Sequence, residues 1–270
     1  MADGVRGRRR RRVELLAPLL WEAGRGEDVT EQRRRSTRLS LPAEMQWQLL
    51  QARGLLVPDR FAVYTQLEPA ELVSSDLFDW SYDGQKITIT LMDAAGEGVT
   101  AAQNSELALT ALRNARRASL SLLEAVSLAD QALWDQFRGS GEVAATVLEH
   151  DLHTATTTIV SAGTPPPLIW RNGVQPANIF ADPPLGVADQ TPYRRQHLKL
   201  HPGDLLLLLT DGVLHAQNSA GEAFGVQGLT QLLRNEVPDM EIPRQVVHRV
   251  RDHVGALLPD DATCVALRLH

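Results

Sequence analysis

The chain has 270 residues, of which 43% are hydrophobic and 22% charged, and its formal net charge at pH 7 is −6. These proportions are ordinary for a soluble globular protein with a sizeable core. The single cysteine, Cys264, excludes an internal disulfide and a zinc site of the CxxC type, and no apolar stretch approaches the roughly 18 residues of a membrane helix. We therefore expect a cytoplasmic protein without a membrane span, in which Cys264 is a buried structural thiol.

Positive charge is concentrated at the start of the chain. Residues 1–50 hold 11 arginines against 7 acidic side chains, out of 27 basic and 33 acidic residues in the whole chain, so the rest holds 16 against 26. An acidic body with a basic arm does not fit a nucleic-acid-binding domain. We interpret residues 1–38 as an Arg-rich arm, partly disordered or helical. The alternative is contact of the run at 8–12 with RNA or a membrane surface through charge alone.

A helix is predicted after this arm. Ser40 can cap its start, Pro42 suits its first turn, and apolar residues then recur at helical spacing up to Gly54. We assign residues 39–56 to a linker or switch helix. Residues 57–270 form the domain that follows.

A strand hairpin opens this domain. The Asp-Gly pair at 83–84 is a two-residue turn signal between strand patterns at 78–81 and 86–91. Asp76 stands at the start of the first strand and Asp93 at the end of the second. Antiparallel pairing should therefore bring these two carboxylates together.

The remaining elements alternate between helices and strands. Two helices are predicted within 99–138, and the later ones at 227–235 and 243–257. Further strands are predicted at 144–149, 154–161, 168–170, 193–200, 205–209 and 262–269. The order indicates an α+β fold with mostly antiparallel sheets covered by segregated helices.

Acidic residues recur where apolar strands stop or begin, at Asp76, Asp93, Asp211, Asp260 and Asp261. Several carboxylates gathered at one sheet rim repel each other unless a cation neutralises them. Hard oxygen ligands without His or Cys favour magnesium or manganese over zinc. Each acid taken singly is better explained by turn chemistry, but together they predict a metal site.

Five segments resemble, in order, those of the PPM-type metal-dependent protein serine/threonine phosphatases, in their bacterial SpoIIE-like and RsbU-like branch. The resemblance covers about residues 40–269. The segments are LEPAELVSSDLFD at 67–79, MDAAGEG at 92–98, AGTPPPL at 162–168, GD at 203–204 through TDG at 210–212 with FG at 224–225, and DDAT at 260–263.

The resemblance implies a fold, a metal centre and a reaction. The fold is a β-sandwich of two antiparallel sheets flanked by helices, with two Mn²⁺ or Mg²⁺ ions at one end. Asp93 would bridge both ions, the Ala94 carbonyl would help to bind one, and Asp76, Asp211 and Asp260 would hold the second. The implied reaction is hydrolysis of phosphoserine or phosphothreonine by a metal-activated water, without a protein nucleophile.

The resemblance also implies partners. The substrate class of the branch is a phosphorylated anti-anti-sigma protein of the STAS type, which links the chain to signal transduction and sigma-factor regulation. In relatives the linker helix pairs subunits and gates activity, so a homodimer through the N-terminal helix is expected. No nucleic-acid partner is expected.

Two positions depart from the branch. Ser75 replaces a glycine before the first metal-binding acid, where a Cβ is either tolerated or displaces Asp76 if the glycine had a positive φ. Glu97 replaces a loop histidine that is proposed to protonate the leaving group, and as a general acid it would need a raised pKa. We favour an active enzyme with Asp93 and Glu97 as catalytic residues. The alternative is a catalytically weakened or inactive phosphatase-like binding module in a partner-switching complex.

Overall fold

Two antiparallel sheets form the centre of the structure, a computed structural model that describes residues 54–70, 74–96, 98–255 and 257–270. Its strands are β1 Gly54–Val57, β2 Phe61–Glu68, β3 Asp76–Tyr82, β4 Lys86–Ala94, β5 Val143–Asp151, β6 Thr156–Ala162, β7 Leu168–Trp170, β8 Val174–Pro176, β9 Gln196–Leu198, β10 Leu205–Leu209 and β11 Ala262–Leu269. One sheet has the order β1-β2-β11-β10-β7-β8, and the other has the order β3-β4-β5-β6-β9.

Helices cover the outer faces of both sheets. They are α1 Gly98–Arg117, α2 Leu122–Phe137, α3 Asp211–Leu214, α4 Gly225–Leu233 and α5 Ile242–Val254, with a 3₁₀ turn at Asp239–Glu241. The α1–α2 pair packs on the β3-to-β9 sheet, and α4 and α5 pack on the β1-to-β8 sheet. This arrangement confirms the predicted α+β sandwich of two antiparallel sheets flanked by helices.

The layers explain the apolar patterns of the strands. Between the sheets, Phe61 and Val63 of β2 pack with Phe78 of β3 and Ile89 of β4. The central strand β10 is buried on both faces, so its sequence is continuously apolar rather than alternating. Cys264 of β11 is also fully buried, and burial raises the pKa of its thiol. The expectation of a buried thiol is therefore confirmed.

The structure differs from the predicted elements mainly at their ends. Strand β1 was not predicted, and it begins at Gly54, where the linker helix was expected to end. Residues 54–56, assigned to the linker helix, thus belong to β1, so the predicted end of that helix at 56 is wrong. The rest of that helix and the arm at 1–38 lie outside the described residues, so the boundary at 38 stays a prediction. Strand β9 is shorter than the predicted 193–200, because the Arg194 N–H donates to the Asp182 carboxylate rather than to a neighbouring strand.

A buried carboxylate ties the helical layer to β3. Asp79 is 1% exposed, and its oxygens lie 2.8 Å from Arg113 Nη2 and 3.1 Å from Arg116 Nη1. Both arginines lie in the second half of α1, the helix that follows the turn after Asp93. The ion pairs therefore fix this helix against the hairpin that carries Asp76 and Asp93.

Replacing Asp79 by alanine tests this link. Asp79→Ala leaves two largely buried guanidinium groups without their partner, and breaking a buried ion pair from one side costs about 3–5 kcal/mol. We expect the free energy of unfolding in urea to fall by about that amount. Asp135→Ala removes the ion pair with Arg138, whose side chains are 58% and 67% exposed, and should cost less than about 1 kcal/mol. Equal losses in the two variants would contradict the assignment.

Candidate metal centre

The β3–β4 hairpin places Asp76 and Asp93 directly opposite each other. Residues opposite each other in an antiparallel pair have their side chains on the same face of the sheet. Here that face points at the other sheet, because the Asp76 carboxylate contacts Thr210 and Thr263. The predicted proximity of the two acids is therefore confirmed, and both lie at one end of the sandwich.

The other sheet contributes its acids from the ends of β10 and β11. Leu209 pairs with Cys264, so the residues that follow β10 meet those that precede β11. Asp211 begins α3 directly after β10, and Asp260 lies just before β11. The two acids thus approach the hairpin from the opposite sheet.

Gly212 allows this approach. A Cβ added at position 212 would overlap the carbonyl oxygen of Asp261, so the start of α3 packs directly against the segment before β11. The Asp-Gly pair at 211–212 is therefore required by close packing between two segments, whereas its sequence alone is typical of a turn.

Charge coupling shows how closely the acids gather. Burial is the largest cause that raises the pKa of Asp93, and with the charges of Asp211 and Asp260, a hydrogen bond with Asp211 and the charge of Asp261 it brings this pKa to about 8. Burial also raises the pKa of Asp76 well above its usual value, helped by the charges of Asp93 and Asp261. Such coupling requires short distances. The structure thus brings together Asp76, Asp93, Asp211 and Asp260, while their roles as ligands stay predictions.

These residues suit a hard divalent cation in donor type and in charge. Among the residues that the structure describes, no three or more His, Cys, Asp or Glu side chains are spaced as a metal-binding group. The Asp76 Oδ2 accepts hydrogen bonds from Thr210 Oγ1 at 2.9 Å and Thr263 Oγ1 at 2.6 Å, and Asp93 is hydrogen-bonded with Asp211. A bound metal ion requires several ligand oxygens around one point, whereas repulsion between carboxylates requires only that they lie near each other. Side-chain rotations can change the spacing of carboxylate oxygens without separating their strands, so the closeness of the acids is the stronger indication of a cation site.

The two departures from the family pattern have different outcomes. Ser75 does not have a positive φ, and Asp76 keeps its place opposite Asp93. Of the two alternatives, the Cβ at 75 is therefore tolerated. Glu97 lies outside the described residues, so its catalytic role stays a prediction. Ala94 is buried at the end of β4, and the role of its carbonyl is also untested.

The sequence analysis assigned no role to Thr210 and Thr263, and it gave Asp261 none beyond its place among the acids. Thr210 and Thr263 donate to Asp76, and Asp261 accepts hydrogen bonds from the segment that leads into β3. Asp260 is exposed and Asp261 is buried. Alternation does not reveal this difference, because both faces of β11 are buried.

The raised pKa of Asp93 predicts how the stability of the metal-free protein depends on pH. Folded Asp93 keeps its proton up to about pH 8, whereas an unfolded aspartate loses its proton near about pH 4. Between these values the folded state binds more protons, so the free energy of unfolding falls as pH rises. We expect the melting temperature of EDTA-treated protein to fall from about pH 5 to about pH 8.

Asp93→Asn isolates this contribution. Asparagine is neutral at every pH, so the fall in melting temperature should become shallower, with Asp76 responsible for part of the remainder. Asp189→Asn, at an exposed acid, should leave the profile unchanged. Parallel profiles for wild type and Asp93→Asn would show that Asp93 does not carry the raised pKa.

Comparison with solved structures identifies the same fold in other proteins. The SiaA-PP2C domain of Pseudomonas aeruginosa is 23% identical, with a TM-score of 0.68 over 77% of this chain and 86% of that domain. The RsbU and RsbW domains of Rv1364c from Mycobacterium tuberculosis are 22% identical, with a TM-score of 0.66 over 78% of this chain and 60% of that chain. The catalytic domain of the serine/threonine protein phosphatase PstP, solved with two manganese ions, is 13% identical, with a TM-score of 0.57 over 78% of this chain and 98% of that domain.

Sequence comparison adds a curated relative and a matching protein family. Protein IcfG of Synechocystis sp. is 25% identical over 261 residues, which cover 85% of this chain and 39% of that protein. The chain thus spans about two fifths of the length of this curated relative. Residues 83–270 match the family described as Stage II sporulation protein E (SpoIIE). Because this match covers more than half of the chain and the fold agrees with it, the protein belongs to the SpoIIE family of PPM-type protein phosphatases.

Proposed function

We propose that this chain is a Mn²⁺- or Mg²⁺-dependent protein serine/threonine phosphatase. The observation that carries the proposal is that burial and the nearby charges of Asp211 and Asp260 together raise the pKa of Asp93 to about 8. Carboxylates held this close are stabilised at neutral pH when divalent cations neutralise them. Membership of the SpoIIE family supports the reaction class.

The residues of the centre have distinct roles in this proposal. Asp76, Asp93, Asp211 and Asp260, with the Ala94 carbonyl, would hold two ions, and Asp93 would contact both. The bound ions would neutralise the phosphoryl group and acidify a water molecule. Asp93 would give up its proton on becoming a ligand, so metal binding at this centre would depend on pH.

The remaining step is proton donation to the leaving oxygen of serine or threonine. Glu97 is our candidate for this donor because it occupies the position of the loop histidine in the family pattern. A carboxyl group can act as a general acid near neutral pH only if its pKa is raised.

We infer that the substrate is a phosphorylated anti-anti-sigma protein of the STAS type. The likeness to a solved protein that contains RsbU and RsbW domains supports a partner-switching circuit, as does the likeness to a solved protein of the bacterial stressosome. A homodimer through the helix at 39–56, a role in sigma-factor regulation and a cytoplasmic location belong to the same proposal. In the part of the chain that the structure describes, no helix has the length and apolar character needed to cross a bilayer.

A second candidate is a phosphatase-like binding module with weak or absent turnover. The hydrogen bonds from Thr210 and Thr263 to Asp76 Oδ2 favour it, because they occupy one of the two oxygens that Asp76 could offer to a cation. The replacement of the loop histidine by Glu97 points the same way. The two candidates differ in whether the chain hydrolyses a phosphate ester.

Hydrolysis of p-nitrophenyl phosphate with Mn²⁺ distinguishes them. Wild type should show turnover that EDTA abolishes, and Asp93→Asn and Asp211→Asn should each lower it by at least roughly 100-fold, because each removes a charged ligand. Asp189→Asn, at an exposed acid, should have wild-type activity. Absence of metal-dependent turnover in wild type would favour the binding module, and full activity in both site variants would refute the metal assignment.

Glu97→Gln tests the proton donor separately. A phosphoserine peptide needs a proton on its leaving oxygen, whereas p-nitrophenolate leaves without one. If Glu97 is the acid, Glu97→Gln should lower peptide turnover by about 10²-fold to 10⁴-fold and change aryl phosphate turnover little. Glu97→His should restore peptide turnover. Equal activity of wild type and Glu97→Gln on the peptide would exclude Glu97 as the donor.

A further inference from the structure

The buried carboxylate of Asp261 accepts hydrogen bonds from the segment that carries Asp76. Its Oδ2 accepts from Ser74 Oγ at 2.7 Å, from Ser75 N at 2.6 Å and Oγ at 3.1 Å, and from Asp76 N at 3.4 Å. Its Oδ1 accepts from Ala70 N at 2.8 Å. Asp261 is 5% exposed, so these contacts replace hydration of the carboxylate.

These contacts give Asp261 a different task from that of Asp260. A carboxylate offers about four lone-pair positions, and donors of the protein itself occupy both oxygens of Asp261. Asp260 is exposed at the rim and acts on Asp93 through its charge. Asp261 is therefore engaged in holding backbone, which leaves the neighbouring Asp260 to serve as a ligand.

Ser75 is the point at which this network reaches the rest of the centre. Its carbonyl oxygen accepts a hydrogen bond from Ser105 Oγ of α1 at 2.5 Å and lies 3.4 Å from Ala94 N of β4. Its hydroxyl donates to Asp261, a bond that glycine, the residue of the family pattern, cannot make. Ser75 thus joins the start of β11, the end of β4 and the first helix.

We propose that Asp261 is a positioning residue that sets the place of Asp76 in the metal centre by holding the backbone of Ser75 and Asp76. This inference rests on the proposed function, since it concerns the same centre. The threonine hydroxyls orient the Asp76 side chain, whereas Asp261 fixes the backbone from which that side chain extends. Loss of Asp261 would let Asp76 shift relative to Asp93 and would weaken metal binding.

Asp261→Asn is the first test, with Mn²⁺ binding to the full chain measured by titration calorimetry. All five contacts of Asp261 come from donors, so an amide at 261 loses the charge and turns its NH₂ group toward another donor. We expect the Kd for Mn²⁺ to rise by about 10-fold to 100-fold and the melting temperature of the metal-free protein to fall.

Asp260→Asn is the matched control, because it removes the neighbouring charge while its amide oxygen can still accept the bond from Asp261 N that Asp260 Oδ1 accepts at 2.8 Å. It should weaken Mn²⁺ binding but leave the metal-free melting temperature unchanged or higher, since it relieves repulsion of Asp93. Saturating Mn²⁺ should restore phosphatase turnover in Asp261→Asn, where the ligands remain, and should not restore it in Asp260→Asn. A purely structural role for Asp261 would lower the melting temperature and leave the Kd unchanged.

Ser75→Ala provides a milder test that does not depend on the stability of Asp261→Asn. It removes only the hydroxyl bond to Asp261 and should raise the Kd for Mn²⁺ by about threefold to tenfold, less than the roughly 10-fold to 100-fold found when an outer partner of a metal ligand is lost, because the other donors to Asp261 remain. Added to Asp261→Asn, it should cause little further loss, because the two residues act through one contact. Should Asp261→Asn fail to fold, an unchanged Kd in Ser75→Ala overturns the inference.

The outcomes separate this inference from the proposed function. If wild type binds no Mn²⁺ and Asp260→Asn changes nothing, the metal centre is wrong and the inference falls with it. If wild type binds Mn²⁺ and hydrolyses phosphate esters while Asp261→Asn has the wild-type Kd, only the positioning role is overturned. A weaker Kd that saturating Mn²⁺ compensates supports it.

Discussion

Repulsion between carboxylates that four strand ends hold together is the constraint on which this structure depends. Asp76 and Asp93 are fixed by the register of one hairpin, and Asp211 and Asp260 come from the end of β10 and the start of β11. The apolar contacts between the sheets stabilise these strands, so the acids cannot separate without opening the core. The free energy of packing therefore maintains an electrostatic arrangement that is unfavourable by itself.

The structure relieves this repulsion unevenly. Around Asp76 the relief comes from two threonine hydroxyls, and around Asp93 it comes from a retained proton, because its pKa is raised to about 8. Around Asp261 it comes from the N–H and O–H groups that donate hydrogen bonds to its carboxylate. Three neighbouring carboxylates are thus stabilised in three ways, and Asp93 is the one that a cation would change most.

The regular elements could be predicted from sequence because their signals are local. The Asp-Gly turn and the alternation around it predicted the β3–β4 hairpin, and the register then brought Asp76 and Asp93 together. The start and end of β11 were predicted because an unbroken apolar run follows a pair of acids. Strand β1 was missed because four residues after a helical pattern are too few to show a period of their own.

The finer organisation of the site could not be predicted, because it depends on contacts between distant segments. Nothing close to Asp261 in sequence shows that its carboxylate accepts hydrogen bonds from residues 70–76. The bonds from Thr210 and Thr263 to Asp76 likewise join three separate strands. Sequence motifs placed the acids at one rim, but only the assembled sheets show which acid holds backbone and which faces the opening.

The glycine after Asp211 limits how this rim can diversify. Any side chain at 212 would collide with the backbone before β11, so the start of α3 and the segment before β11 are held in direct contact. A larger residue at 212 therefore cannot be accommodated unless one of these two segments moves. Variation has to come from the loops that surround it, and a mutational library would keep glycine at 212 while the surrounding loops tolerate change.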